Sequence, residues 1–324
     1  MTRRALVLSS GGARGSFEIG VLEELILNRG LDFHIFCGIS AGALNAALLA
    51  QALYDDDPAT SINNLKKSFM ALRDIWLKGI AGNQSIFRKR ILGIVGVPLG
   101  ADSIYDVSPL KELLSRFVNP KDLASSKRDL RIQHVALETG EIAAVNGSEP
   151  DILKHILASA AVPFSFPPVE LGGKHHVDGG VQDNSPLGTA FEAEPPPEEI
   201  YVVYASPSKL DTEEFHATSL SFKPNAQTYL VRSIEILLNE IDLNDVAGAR
   251  QLNILKKHWE KIKHLLPKDN ESVKEINTVL DLIRYAPIIE CRPERLIIKD
   301  GLNFSPAQIR ENYEHGKEVA AKLP

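Results

Sequence analysis

The sequence predicts an α/β fold of three layers, α/β/α, around a mostly parallel central sheet with helical insertions. Three observations carry this. The chain opens as strand, glycine-rich turn, helix, strand, sharp turn, helix. Its first strand is a short continuous apolar run ending in glycines, as a buried strand is. No internal repeat or clean linker divides the 324 residues, so a single domain over 1–324 is expected, with helical insertions around 60–117 and 225–284.

Ala5–Ser10 is the first strand. Ser16–Asn28 follows as a helix, its apolar residues Phe17, Ile19, Val21, Leu22, Leu25 and Ile26 at helical spacing, and Gly30 ends it. Phe33–Ile39, β-branched and aromatic, is the second strand. Ala41–Leu53 is apolar on most sides and reads as a buried helix. Ser61 to Arg90 looks helical, with Leu65, Phe69, Leu72, Ile75 and Trp76 on one face, and Pro109–Phe117 adds a short helix. Arg131–Glu138 and Glu141–Asn146 flank Thr139-Gly140 as a hairpin. Asp151–Ala161 is a helix with Asp151 as its expected cap. Val169–Leu171 and His175–Val177 pair around Gly172-Gly173. Glu199–Ala205 is a strongly apolar strand, Asn225–Leu266 and Ser272–Arg284 are helical, and Ile288–Arg292 is a late strand. Ser305–Leu323 is an amphipathic helix with Ser305 as N-cap and Pro306 at its first position.

Composition bounds the function. Hydrophobic residues make up 44% and charged residues 24%, which is globular usage. The net charge of −6 argues against a nucleic-acid partner, which would ask for a basic stripe. Cys37 and Cys291 are too few for a disulfide scaffold or a cysteine-built zinc site, and read as buried thiols. After Arg3-Arg4 the apolar run stops within four residues, where a signal peptide needs about 7–15. No run reaches the roughly 18 apolar residues of a spanning helix. The expected location is cytoplasmic, with contact at a membrane surface left open. Oligomeric state is not legible.

The strongest chemical signal is Gly38-Ile39-Ser40-Ala41-Gly42, a Gly-x-Ser-x-Gly between a strand and a helix. Such a serine sits on a tight, strained turn that projects its hydroxyl from the sheet edge, and Gly38 and Gly42 let strand and helix approach. A serine needs a base to become a nucleophile. The α/β-hydrolase order places several strands before the serine. Here one strand and one helix precede Phe33–Ile39, so a histidine-bearing triad is not assumed. Ser10-Gly11-Gly12-Ala13-Arg14-Gly15 closes the first strand. Its backbone N–H groups could converge on an oxyanion or a phosphate, or the segment could be a plain tight turn. Val177-Asp178-Gly179-Gly180 puts an aspartate at a strand end, where it faces the sheet edge or simply sits in a turn.

Together these segments resemble the patatin-like phospholipase family. The resemblance lies in Gly11–Gly15, Gly38–Gly42, and Asp178-Gly179-Gly180 with Asn184 and Pro186 after it. Ala158-Ser159-Ala160-Ala161-Val162-Pro163 and Phe166-Pro167-Pro168 are similar to the segment before that aspartate. Order and spacing agree over about the first 190 residues. Ser10 stands where the family pattern often has a first glycine. The resemblance implies a Ser–Asp dyad without histidine: Ser40 the nucleophile, Asp178 the base, the backbone of Gly11, Gly12, Ala13, Arg14 and Gly15 the oxyanion hole, and Arg14 a support of that loop. It implies a lipid or acyl ester as substrate and chemistry that needs no cofactor. An acyltransferase or small-ester esterase with the same dyad, or a non-catalytic lipid-binding protein, are the rival readings.

No metal site is expected. His175-His176 point to opposite faces of a strand, and no His-Glu-x-x-His occurs. Asp55-Asp56-Asp57 reads as a solvated turn. Arg88-Lys89-Arg90 followed by the apolar run Ile91–Gly100 suits either an anionic lipid surface or a turn beside the core. An aspartate base, ordinarily ionised above about 3.9, leads to the expectation that activity persists below the range of histidine, about 6.5.

Overall fold

The strands, in chain order, are β1 (Arg4–Leu8), β2 (Ile35–Gly38), β3 (Arg88–Lys89), β4 (Tyr105–Asp106), β5 (Asp129–Ala136), β6 (Ile142–Asn146), β7 (Val169–Leu171), β8 (Lys174–Asp178), β9 (Glu199–Val203) and β10 (Ile288–Cys291). This computed structural model describes residues 2–90, 101–208, 247–266, 270–282 and 284–323. The apolar run Ile91–Gly100 and the first part of the expected helical stretch, 225–246, lie outside the described residues.

β10, β9, β1, β2 and β5 lie side by side and all parallel. The sheet is mostly parallel, as the sequence predicts. β5 then acquires antiparallel neighbours: β6 along Arg131–Val135 and β8 along His134–Ala136. β7 folds back on β8 through the Gly172-Gly173 turn.

One detail of register positions the site. β2 ends with Gly38 opposite Ile132, and β8 ends with Asp178 opposite His134. Since β6 holds the other edge of β5 over the same residues, β2 and β8 share one edge and arrive from opposite directions. Whatever follows Gly38 must therefore meet Asp178.

The core lies on both faces of the sheet. Leu6, Leu8 and Phe36 pack under α1 (Ser16–Leu22), α2 (Ala41–Ala50), α3 (Pro58–Asp74) and the last helix, Pro306–Ala320. Ala5, Val7, Ile35 and Cys37 pack on the other face with Leu187 and Ala190 of helix Leu187–Phe191, and Ala249 of helix 247–262 lies against them. Neighbouring residues go to opposite faces and both faces are covered, so these strands must be apolar throughout. α2 is buried almost all round, because it is wedged between sheet and α3.

Two local expectations change. The helix expected to run to Arg90 ends at Gly79 in a π-helical turn, Ile75–Gly79. The chain beyond must bring Phe87 into contact with Tyr105, Phe166 and Phe304, and β3 pairs with β4. Asp151 does not cap the helix Ile152–Ser159; its backbone is left-handed (φ 57°) and its carboxylate bonds Lys154 at 2.9 Å instead. Ser305 takes the N-cap position and Pro306 the first helical one, as expected, although the Ser305 side chain makes no capping bond. Cys37 and Cys291 are free, buried thiols. No helix among the described residues is long and apolar enough to cross a membrane.

Candidate active site

Ser40 lies two residues past β2 with φ 56° and ψ −122°, a conformation that strains a residue bearing a Cβ. Packing enforces it. A Cβ on Gly38 would lie 2.4 Å from the Gly42 carbonyl, and one on Gly42 would lie 2.4 Å from that of Leu8. Both glycines are therefore required by close approach. Ser40 heads α2, yet its hydroxyl makes no capping bond; it lies beside the Asp178 carboxyl and favours its ionised form. The Ser40 amide donates to Ser159 Oγ at 3.1 Å.

Asp178 is held from both sides. Its amide donates to the Ala161 carbonyl at 3.0 Å, and its Oδ1 accepts from the Gly180 amide at 2.9 Å. Burial pushes its carboxyl up to about 7, against the lowering effect of the Ser40 and Gly180 hydrogen bonds. The expectation that an aspartate base would titrate well below histidine is thereby reversed: desolvation outweighs two donors.

The loop Gly11–Gly15 lies at the end of β1, beside the serine turn. Gly12 has φ 56°, and a Cβ there would meet the Gly301 carbonyl at 2.2 Å. The Ala13 amide donates to that same carbonyl at 2.7 Å, and the Arg14 amide donates to Gly11 at 3.0 Å. Arg14 is buried; its Nε donates to the Ile298 carbonyl at 2.8 Å and its guanidinium also reaches Lys299. Asn312, from the last helix, donates to the Arg14 carbonyl at 3.0 Å. Gly15 packs against Ala41 and Trp76. The Ser10 hydroxyl bonds Asn184, whose carbonyl also accepts from the Ser10 amide at 3.1 Å.

Ser40 and Gly12 open into a narrow apolar cavity of about 70 Å³, whose walls include Leu44, Trp76, Phe166 and Phe304. The structure thus brings Ser40, Asp178, Gly12 and the elbow glycines together. Ser159 and the Gly301 carbonyl, not anticipated as parts of the site, brace it. Ser159 lies in a segment the motif comparison singles out; Gly301 carries no sequence signal, because it acts through its backbone.

Three histidines gather on β5, β8 and the helix Ile152–Ser159. His134 Nδ1 lies 2.9 Å from His176 Nδ1, and His134 Nε2 lies 2.9 Å from His155 Nδ1. His175 points the other way, to Glu138 at 2.8 Å. Burial, reinforced by the two neighbouring rings, lowers His134 to about 3.

The profile of the patatin-like phospholipase family matches residues 6–191, more than half of the chain. The chain belongs to that family. The chain is 27% identical over 187 residues to an uncharacterized NTE family protein of Mycobacterium tuberculosis, and equally to one of Mycobacterium bovis. The match covers 57% of this chain and 44% of each relative, so the patatin-like chain aligns with less than half of their length. Among solved structures it is similar to VipD from Legionella pneumophila, with TM-score 0.44, 15% identity, and coverage of 99% of this chain and 66% of that one. It is also similar to a chain of the ExoU–SpcU complex of Pseudomonas aeruginosa, with TM-score 0.34, 18% identity, and coverage of 87% and 66%.

Proposed function

We propose that this patatin-like chain hydrolyses fatty acyl esters of phospholipids or related lipids, with Ser40 as nucleophile and Asp178 as its base. The observation that carries the reading is a strained Ser40 set beside the buried Asp178 carboxyl, at the mouth of an apolar cavity. In the first step Ser40 Oγ bonds to the ester carbonyl carbon while its proton passes to Asp178. The carbonyl π electrons move to oxygen. The Ala13 and Arg14 amides already serve other carbonyls, so the amides of Gly11 and Gly12 receive the oxyanion. Collapse expels the alcohol or lysolipid, which takes the proton from Asp178. Water then loses a proton to Asp178, attacks the acyl-enzyme, and releases the fatty acid as Ser40 regains its hydrogen.

The acyl chain lies in the cavity walled by Leu44, Phe166 and Phe304. Arg88 and Lys89, exposed beside Phe87, face anionic headgroups at a lipid surface. The test is incubation with a panel of phospholipids and acyl esters, with and without an alcohol acceptor, followed by mass analysis of products. Free fatty acid formed by the parent and absent with Ser40→Ala supports the proposal. Acyl transfer to the acceptor without free fatty acid would replace hydrolysis by transfer. Lipid binding without any product would reduce the chain to a lipid carrier.

A further inference from the structure

One buried acid takes no part in this chemistry. Glu18, on α1, is fully enclosed. Its Oε2 accepts from Asn45 Nδ2 at 2.8 Å, and Asn45 Oδ1 accepts from Trp76 Nε1 at 2.8 Å. The chain of bonds links the α1 helix, the helix that follows Ser40, and the π-helical turn Ile75–Gly79. Asn45 and Trp76 both line the cavity behind Ser40.

The polarity of this chain follows from chemistry. An indole N–H can only donate, so Asn45 must turn its oxygen to Trp76. Its NH₂ then faces Glu18, which must accept. Flipping the amide would turn its NH₂ to the indole N–H, donor against donor, and leave that pair unsatisfied. Trp76 is further limited by Phe304, whose ring is 6.4 Å away and nearly parallel, and by Gly15 at its back. Burial holds the Glu18 carboxyl well above the usual carboxylate range, and the neutral acid still accepts through Oε2. Its Oε1 has no hydrogen-bond partner among the described residues. A methionine there would remove that orphan but strand the Asn45 NH₂, so the acid is the acceptor this chain of bonds requires.

We infer that Glu18 is a positioning residue: acting through Asn45, it fixes the Trp76 indole as a wall of the cavity and so sets which acyl chain lengths the site accepts. The inference rests on the reading of that cavity as the acyl site.

The chain has two tryptophans, so Trp259→Phe leaves Trp76 as the sole indole. In that background, binding of octanoate, dodecanoate and palmitate is followed by Trp76 fluorescence, and kcat/KM is measured on the p-nitrophenyl esters of the same acids. Glu18→Gln keeps an acceptor and should leave the long-to-short ratios within about two-fold of the parent. Glu18→Met removes it, and should change the ratios by about ten-fold and shift Trp76 emission. A folded Glu18→Met protein with unchanged ratios and emission overturns the inference, as does Glu18→Gln behaving like Glu18→Met. If Glu18→Met does not fold, Trp76→Phe with Trp259 retained must alter the ester ratios, and unchanged ratios there overturn it. Fatty-acid binding needs no turnover, which separates the two failures. Chain-dependent binding that ignores Glu18 defeats this inference alone; no binding of any acid by the parent defeats the acyl-site reading and this inference with it.

Discussion

His134 and Asp178 stand opposite each other across the β5–β8 pair, and the chain around them gives them different tasks. Asp178 reaches the serine turn, where Ser40 lies beside its carboxyl. His134 has both ring nitrogens occupied by His155 and His176, so neither is left to take a proton from Ser40. A neutral imidazole has one donor and one acceptor, and this ring spends both on its neighbours. Burial acts in opposite senses on the two groups: it raises Asp178 to about 7 and lowers His134 to about 3, and in each case disfavours the charged form. The difference teaches that a histidine one strand away from a candidate nucleophile is not thereby its base. What decides is where the ring nitrogens are already committed.

The comparison breaks most sharply at the proposed dyad. Ser40→Ala and Asp178→Asn should each lower turnover by several orders of magnitude. A fluorophosphonate probe should label Ser40 alone, as mapped by peptide mass analysis. Labelling at another serine, or equal labelling of Ser40→Ala, rejects the nucleophile.

The next largest effect is expected at the loop. Gly12→Val must displace the Gly301 carbonyl or abandon φ 56°. Loss of one oxyanion donor typically costs about 2.7–4 kcal/mol in the barrier. A folded variant with full kcat would remove the loop from the mechanism.

A third measurement sharpens the electrostatic contrast. Asp178 must be ionised to accept a proton, so kcat/KM should fall about ten-fold per pH unit below its pKa of about 7. A histidine base would give a similar limb, so stability must separate them. The folded pKa of Asp178 lies above the unfolded value of about 3.9. Its contribution to stability is therefore complete below about pH 3.9 and is lost as pH rises through about 7. Asp178→Asn should melt at a higher temperature than the parent at pH 8, and the advantage should vanish in acid. Equal melting at both pH values would contradict a raised, buried carboxyl.

The smallest effect belongs to the histidines. His155→Ala and His134→Gln should leave kcat/KM within about three-fold of the parent, while the buried His134 change lowers the melting temperature. A single histidine whose loss equals that of Ser40→Ala, in a protein that remains folded, would restore a histidine-bearing triad.

Much of the site was legible because its parts are local. Gly38–Gly42 carries its geometry in five consecutive residues, and Asp178-Gly179-Gly180 carries its own turn. The braces were not legible: Gly301 meets Gly12 through a carbonyl, and Asn312 reaches Arg14 from the far end of the sequence. The histidine cluster was hidden for the same reason, since 21 and 42 residues separate its partners. The end of α3 was misjudged because helical spacing continues past the point where Phe87 is needed by the aromatic cluster.

By itself the sequence determined the alternation of strand and helix, the apolar strands, and the strained serine turn. These follow from side-chain pattern and short-range sterics, which act within a few residues. Only the tertiary structure decided that β2 and β8 would share one edge of β5 and so bring Ser40 to Asp178. It alone decided that the carboxyl would be raised and that the histidines would bond one another. Pairing register and desolvation depend on which distant segments close over a residue, and no local pattern encodes them.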